Sequence, residues 1–301
     1  MGWGPWPRLE VFFRVVEADA GQFDFSLPDA VVRGSPPGTA FYVPGLIDNS
    51  LLPDWLLPDG GFSSDELTTA LVDDVNTVDA HFNAECGPNL IAYEVVLEPL
   101  SWQGTAGLWN RIGLQSGSDQ YEYVRLAFQT ARAAAPNTKL YIDDFGIEGL
   151  SAKSDQMYQL VSQLKSANIP IDGVGLKGHF MVEDGGTFPQ VLPADEITAN
   201  INRLDALGLE TMITSADIAM ADADWSPATL EAQAQRFASL VHACLDAPGC
   251  RGFSTWGVGD GDSWIPQSFP GWGFPLLFDA TDNPKPAYSA VKAELVSACA
   301  P

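Results

Sequence analysis

Positive charge is what this sequence has least of. Only 15 Lys and Arg stand against 39 Asp and Glu, a formal net charge of −24 over 301 residues. That shortage opposes nucleic acid and anionic membrane as partners, because phosphate contacts need clustered Lys and Arg. The acidic residues are spread rather than blocked, which reads as a solvated surface. Histidine is scarce too, with three in the chain, and the four cysteines form no CxxC pair. No metal-ligand spacing results, and nothing calls for a cofactor. No stretch approaches the ~20 apolar residues of a membrane-spanning helix. The opening Met1-Gly-Trp-Gly-Pro-Trp-Pro7 has neither the basic nor the apolar region of a signal peptide. Internal repeats, low-complexity tracts and linkers are lacking as well.

What is there is a regular alternation of helical and strand patterns. Helical periodicity covers about 65–84, 119–135, 153–167, 195–207, 226–247 and 286–298. Short apolar runs precede or follow each: Leu9-Glu-Val-Phe-Phe13, Ala40-Phe-Tyr-Val43, Ile91 to Leu97, Lys139 to Asp143, Asp172 to Lys177, Glu210 to Thr214 and Gly252 to Trp256. Strands apolar on both faces suit a parallel sheet covered on both sides. An unbroken βα repeat predicts one α/β domain over 1–301. Seven strands fall one short of a (β/α)8 barrel. The first strand and helix are therefore expected to be missing or altered, and Arg33-Gly-Ser-Pro-Pro-Gly38 breaks the helix expected between the first two strands present. The loop Ser263 to Phe274 is long and aromatic, a candidate lid or substrate wall. Cys244 and Cys250 flank a turn where a local disulfide fits, which would argue for an oxidising compartment. Cys86 and Cys299 either pair or stay free.

In such a fold the chemistry collects at the C-terminal ends of the strands. There the sequence places Asp48 and Asn49, Glu98, Asp143 and Asp144, Lys177 and His179, Ser215 and Asp217, and Trp256. Glu98 follows three apolar residues, a setting that raises a carboxyl pKa and suits a general acid or base. Lys177 at the end of a buried strand either pairs with a carboxylate or becomes nucleophilic. Ser215 lacks a G-x-S-x-G elbow, although a triad with His179 and Asp217 can be drawn.

These residues also carry a resemblance. Glu17-Ala-Asp-Ala-Gly-Gln-Phe-Asp-Phe25, Leu52-Pro-Asp-Trp55, Glu94-Val-Val-Leu-Glu-Pro99 and Leu140-Tyr-Ile-Asp-Asp144 appear in this order. Asp172-Gly-Val-Gly-Leu-Lys-Gly-His-Phe180, Ile213-Thr-Ser-Ala-Asp-Ile218, Thr255-Trp-Gly-Val258, Asp262-Ser-Trp264, Pro275-Leu-Leu-Phe-Asp279 and Asn283-Pro-Lys-Pro-Ala-Tyr288 follow. From about Val15 to Lys292 the chain resembles glycoside hydrolase family 10, the endo-1,4-β-xylanases. The resemblance implies a TIM barrel, a Cys244–Cys250 bridge, a secreted protein, and xylan or xylooligosaccharide as partner of what is read as a monomer. It also implies retaining hydrolysis by two glutamates about 5–5.5 Å apart. Glu98 matches the acid/base, while Ser215 stands where the nucleophilic glutamate belongs.

Other departures gather at the same rim. Leu97 replaces the Asn before the acid/base, Tyr93-Glu94 replaces Trp-Asp, and the strand Pro44-Gly-Leu-Ile-Asp48-Asn49 lacks the family's His and Trp-His. Leu9 and Phe12 occupy positions of Asn and Lys, and Lys177 occupies that of a Gln. Glu98, His179, Asp217, Trp256 and Trp264 survive. The implied substrate-binding set is thus Trp256, Trp264, Asp48, Asn49, Tyr93, Leu97 and Asp143. Three expectations follow. One is a xylanase-like glycan protein with impaired or absent retaining hydrolysis. Another is a pocket remade for an apolar small molecule, with Glu98 as general base or Lys177 as Schiff-base nucleophile. The third is an inverting glycosidase in which Asp48 or Asp217 activates water opposite Glu98.

Overall fold

A computed structural model describes residues 11–57, 61–101, 104–183, 190–222 and 224–298. Its longest helix, α3 (Ser64–Cys86), shows how local sequence sets the elements. Ser63 caps it by accepting the Glu66 N–H, and the Glu66 side chain reaches back to the Ser63 N–H. That capping box satisfies two donors the helix start would leave orphaned. Leu67, Leu71, Val75, Val78 and Phe82 recur at helical spacing and are all buried. Gly87, with φ 53°, ends the helix in a conformation that disfavours a side chain.

The chain divides into two compact units. The first runs up to Asp144 and includes Gln159–Val174; the second takes Phe145–Tyr158 and everything from Gly175. Besides α3, the first unit holds α1 (Phe13–Val16), α2 (Ser26–Gly34), α4 (Arg111–Ser116) and α5 (Glu122–Ala134). Its strands are β1 (Phe41–Val43), β2 (Leu90–Leu97) and β3 (Lys139–Asp144). β2 pairs in parallel with both β1 and β3. Helices α3 and α5 pack on each other. The chain crosses between units within α6 (Ala152–Ser166) and β4 (Gly173–Leu176).

The second unit centres on β6 (Glu210–Ala221), whose ten interior residues are all buried. β5 (His179–Met181) and β7 (Cys250–Thr255) pair with it in parallel, and β8 (Trp272–Gly273) pairs antiparallel. Helices α7 (Ala194–Asp205) and α8 (Pro227–Asp246) pack beside it, α10 (Pro286–Ala298) packs on α8, and the short α9 (Ile265–Ser268) follows β7. Ser226 caps α8 from the Thr229 N–H, and Pro227 sits at its first position, where a missing N–H costs nothing.

The helices expected from periodicity are present with ends shifted by a few residues. The strand expected over Leu9 to Phe13 is not formed where it is described: Val11 and Phe12 are irregular, and Phe13 begins α1. Leu9 lies outside the described residues. Upstream of the Pro-Pro break a nine-residue helix, α2, does form and stops at Gly34. β6 runs seven residues past the expected end at Thr214. The Cys244–Cys250 disulfide is formed. Cys86 is a buried free thiol, which burial pushes up to about 11, and Cys299 lies outside the described residues. Among the described residues no helix is long and apolar enough to cross a membrane.

Candidate active site

In the first unit, β2 ends in a strained turn. Glu98 has φ 51°, which a non-glycine side chain rarely adopts. Two hydrogen bonds hold it there: its N–H donates to the Asp143 carbonyl at 2.8 Å, and its carbonyl accepts from Ser101 N–H at 3.1 Å. Asp144 clamps the same turn, accepting from Leu100 N–H at 3.0 Å and Ser101 Oγ at 3.2 Å. Such strain persists only where the surroundings over-determine it, and it concentrates at functional sites. Leu97 is buried beside it, in register with the fully buried Asp143.

Asp48 and Asn49 bond Ser50 and the loop that carries Trp109. Asp48 Oδ1 accepts from Ser50 Oγ at 2.5 Å and from the Ser50 N–H, and the Asp48 carbonyl accepts from Trp109 Nε1 at 2.9 Å. Asn49 Oδ1 accepts from the Trp109 N–H at 3.0 Å. A side chain at Gly107 would come within 2.8 Å of Asn49 Nδ2, so the 107–110 loop is moulded to Asn49. Tyr93, expected at the substrate rim, turns the other way. It is fully buried, and its hydroxyl lies against Asp79 of α3. Burial, and the negative charge of Asp79, raise it strongly. Alternation along β2 sends Tyr93 to the helix-covered face, so it belongs to the sheet–helix core.

The second unit brings together six expected residues. Backbone pairing sets Ser215 N–H on the Lys177 carbonyl (3.0 Å), Asp217 N–H on the Gly178 carbonyl (3.2 Å) and Trp256 N–H on the Ala216 carbonyl (3.2 Å). His179 and Asp217 are opposed in the β5–β6 ladder. His179 Nδ1 lies 2.9 Å from Asp217 Oδ1, while Trp264 Nε1 donates to Asp217 Oδ2 at 2.9 Å. The His179 and Trp264 rings meet edge-on at 5.4 Å. Asp217 is fully buried, so these two partners replace the water it loses. Gly178, at φ 77°, makes the bend between Lys177 and His179; an added Cβ would lie 3.3 Å from Ile213.

Glu148 escaped the sequence reading. Its Oε1 accepts the Gly178 N–H at 2.8 Å, which fixes the bend that presents Lys177 and His179. Burial raises this carboxyl, opposed by that N–H and by the charge of His179. Its only sequence signal was an acid four residues past a strand end. Ser215 is 1% exposed and sits inside β6 rather than beyond its end, its Oγ 3.5 Å from Thr214 Oγ1.

Residues 11–294 match glycosyl hydrolase family 10. The chain belongs to that family. The family 10 relatives include endo-1,4-beta-xylanase 1 of Humicola insolens, 33% identical over 282 residues, which are 93% of this chain and 62% of that protein. Endo-1,4-beta-xylanase 5 of Pyricularia grisea is 31% identical over 298 residues, 98% of this chain and 69% of the relative. The family 10 chain thus spans less than two thirds of the Humicola protein's length. Among solved structures, native xylanase 10B from Thermotoga maritima superposes with a TM-score of 0.83 at 28% identity, covering 94% of this chain and 83% of that one. Xylanase 10C (mutant E385A) from Cellvibrio japonicus in complex with xylopentaose gives 0.82 at 27%, covering 96% and 61%. The fold class is accordingly that of the (β/α)8 barrels.

Proposed function

We propose that this family 10 domain binds β-1,4-linked xylan or xylooligosaccharides and has impaired or absent retaining hydrolysis. The observation behind this reading is Ser215. It is buried within β6, two residues before an Asp217–His179–Trp264 network that is complete. A serine hydroxyl, un-ionised near neutral pH, is a poorer nucleophile towards an anomeric carbon than the carboxylate it replaces. Glu98, held in its left-handed turn, is the acid/base, and Trp256 and Trp264 offer indole faces to sugar. An inverting route finds less support. Both Asp217 oxygens already accept hydrogen bonds, and Asp48 Oδ1 is bonded to Ser50. The Cys244–Cys250 bridge supports an extracellular location.

The test is titration with xylopentaose alongside a reducing-sugar assay on xylan, for the protein, Trp256→Ala and Ser215→Glu. Binding lost in Trp256→Ala, no cleavage by the parent, and cleavage gained in Ser215→Glu is the expected pattern. Parent cleavage at ordinary xylanase rates would overturn the reading of Ser215, and absence of binding would overturn the glycan reading.

A further inference from the structure

Trp225 lies four residues past the end of β6 and is 45% exposed, in a protein whose other tryptophans of the second unit are largely covered. It is also fixed. Phe274 meets its ring edge-on at 4.6 Å and 65°, and the Lys285 ammonium sits over the ring at 5.6 Å from its centroid. Lys285 is itself buried, tied to Asp260 Oδ2 at 3.0 Å and to the Phe274 carbonyl at 2.6 Å. The ring is thus held by a half-buried aromatic and a buried lysine while nearly half of the residue stays open to solvent.

The neighbouring backbone is pinned as well. Asp224 N–H donates to the Ala221 carbonyl at 2.9 Å, Asp224 Oδ2 accepts from Thr229 Oγ1 at 2.7 Å, and Ser226 caps α8. An exposed aromatic on a rigid base loses little freedom when a ligand covers it. The surrounding charge narrows the ligand. Asp222 and Asp224, three and one residues before Trp225 in the chain, are exposed, so local negative charge disfavours an anionic partner while hydroxyl donors find acceptors. A single exposed indole is far below the area a stable protein interface needs. A flat, neutral, hydroxyl-edged ring fits: its C–H face on the indole, its hydroxyls towards the carboxylates.

We propose that Trp225 is the platform of a second glycan-binding site, separate from the strand-end cluster, which stacks one sugar ring of a neutral β-1,4-linked polysaccharide. It rests on the glycan reading given above. The site would hold the protein on a polymer surface while the strand ends engage a single chain.

Retention on insoluble xylan and titration with xylopentaose, each on the folded parent, Trp225→Ala, Trp225→Tyr and Trp256→Ala, test this. Trp225→Ala is expected to weaken retention about tenfold, the effect of one aromatic contact, with xylopentaose binding unchanged. Trp225→Tyr, which keeps a platform, is expected to stay within about threefold of the parent. Retention of Trp225→Ala equal to the parent overturns the platform, while Trp256→Ala still reports on the strand-end site. Retention of the parent that is lost in Trp225→Ala, without xylopentaose binding, keeps the platform and overturns the strand-end reading. A parent not retained on xylan overturns the platform outright.

Discussion

Asp74 in the first unit and the buried acids around the second unit's strand ends meet their surroundings in opposite ways. In the first, Asp74 of α3 is fully buried, and neither of its oxygens has a hydrogen-bond partner among the described residues. Burial raises it well above the ordinary range, and the nearby Glu17 raises it further. Glu17 accepts the Gly21 N–H at 2.6 Å, yet burial raises it too. In the second unit the buried acids meet donors. Asp217 has His179 and Trp264, Glu148 has Gly178, and Asp260 has the Lys285 ammonium and the Leu276 N–H at 2.8 Å. Burial still raises Asp260 and lowers Lys285, with their mutual attraction opposing both shifts. The first unit partners acids too, as Asp144 and Asp48 show, so the contrast lies with Asp74. At Asp74 burial favours the protonated form, because a protonated carboxyl is far cheaper to bury than a lone charge.

The largest break in this contrast is Lys285→Met. It leaves Asp260 buried without its cation and should cost about 3–5 kcal/mol in urea unfolding. Trp264→Phe keeps the ring and removes the N–H from Asp217. A loss of about 1.5–3 kcal/mol is expected, as for a hydrogen bond to a charged group, together with weaker xylopentaose binding.

Asp74→Leu should run the other way, stabilising the fold at neutral pH by about 1–3 kcal/mol, since an unsatisfied buried group is removed. The pH dependence carries the sign. A carboxyl raised on folding binds more protons in the native state, so its stabilisation is complete below roughly pH 4 and falls as pH rises through the raised native value. Urea midpoints from pH 4 upward should decline in the parent and flatten in Asp74→Leu. Asp279 in the second unit behaves oppositely. Hydrogen bonds from Asn283 and Thr281 hold it down at about 2, so its contribution is present above the unfolded value and lost as pH falls through 2. The smallest effect concerns helix caps. Ser63→Ala breaks a reciprocal box and Ser226→Ala a single bond, so about 1 kcal/mol is expected for each, with Ser63 the larger.

Periodicity placed α8 at 226–247 against an observed Pro227–Asp246, because a stripe of apolar residues is a local property. It misplaced the end of β6, where Thr214, Ser215 and Asp217 read as the polar residues of a loop. Those groups are buried because their partners come from elsewhere: Trp264 stands 47 residues from Asp217, and His179 38. Tyr93 read as a rim residue from its place in a motif, yet strand alternation sends it to α3. Glu148 carried almost no signal, since its role is to accept one N–H from a residue 30 positions away.

The sequence by itself determined the βα order, the family and the substitution of Ser215, because each depends on neighbouring residues or on a motif in fixed order. Only the tertiary structure decided which acids are partnered and which are stranded, that Glu98 is held in a left-handed turn, and that Trp225 rests on a buried lysine. Those facts depend on which distant donor, charge or ring arrives at a given carboxylate or indole, and chain spacing carries no record of that.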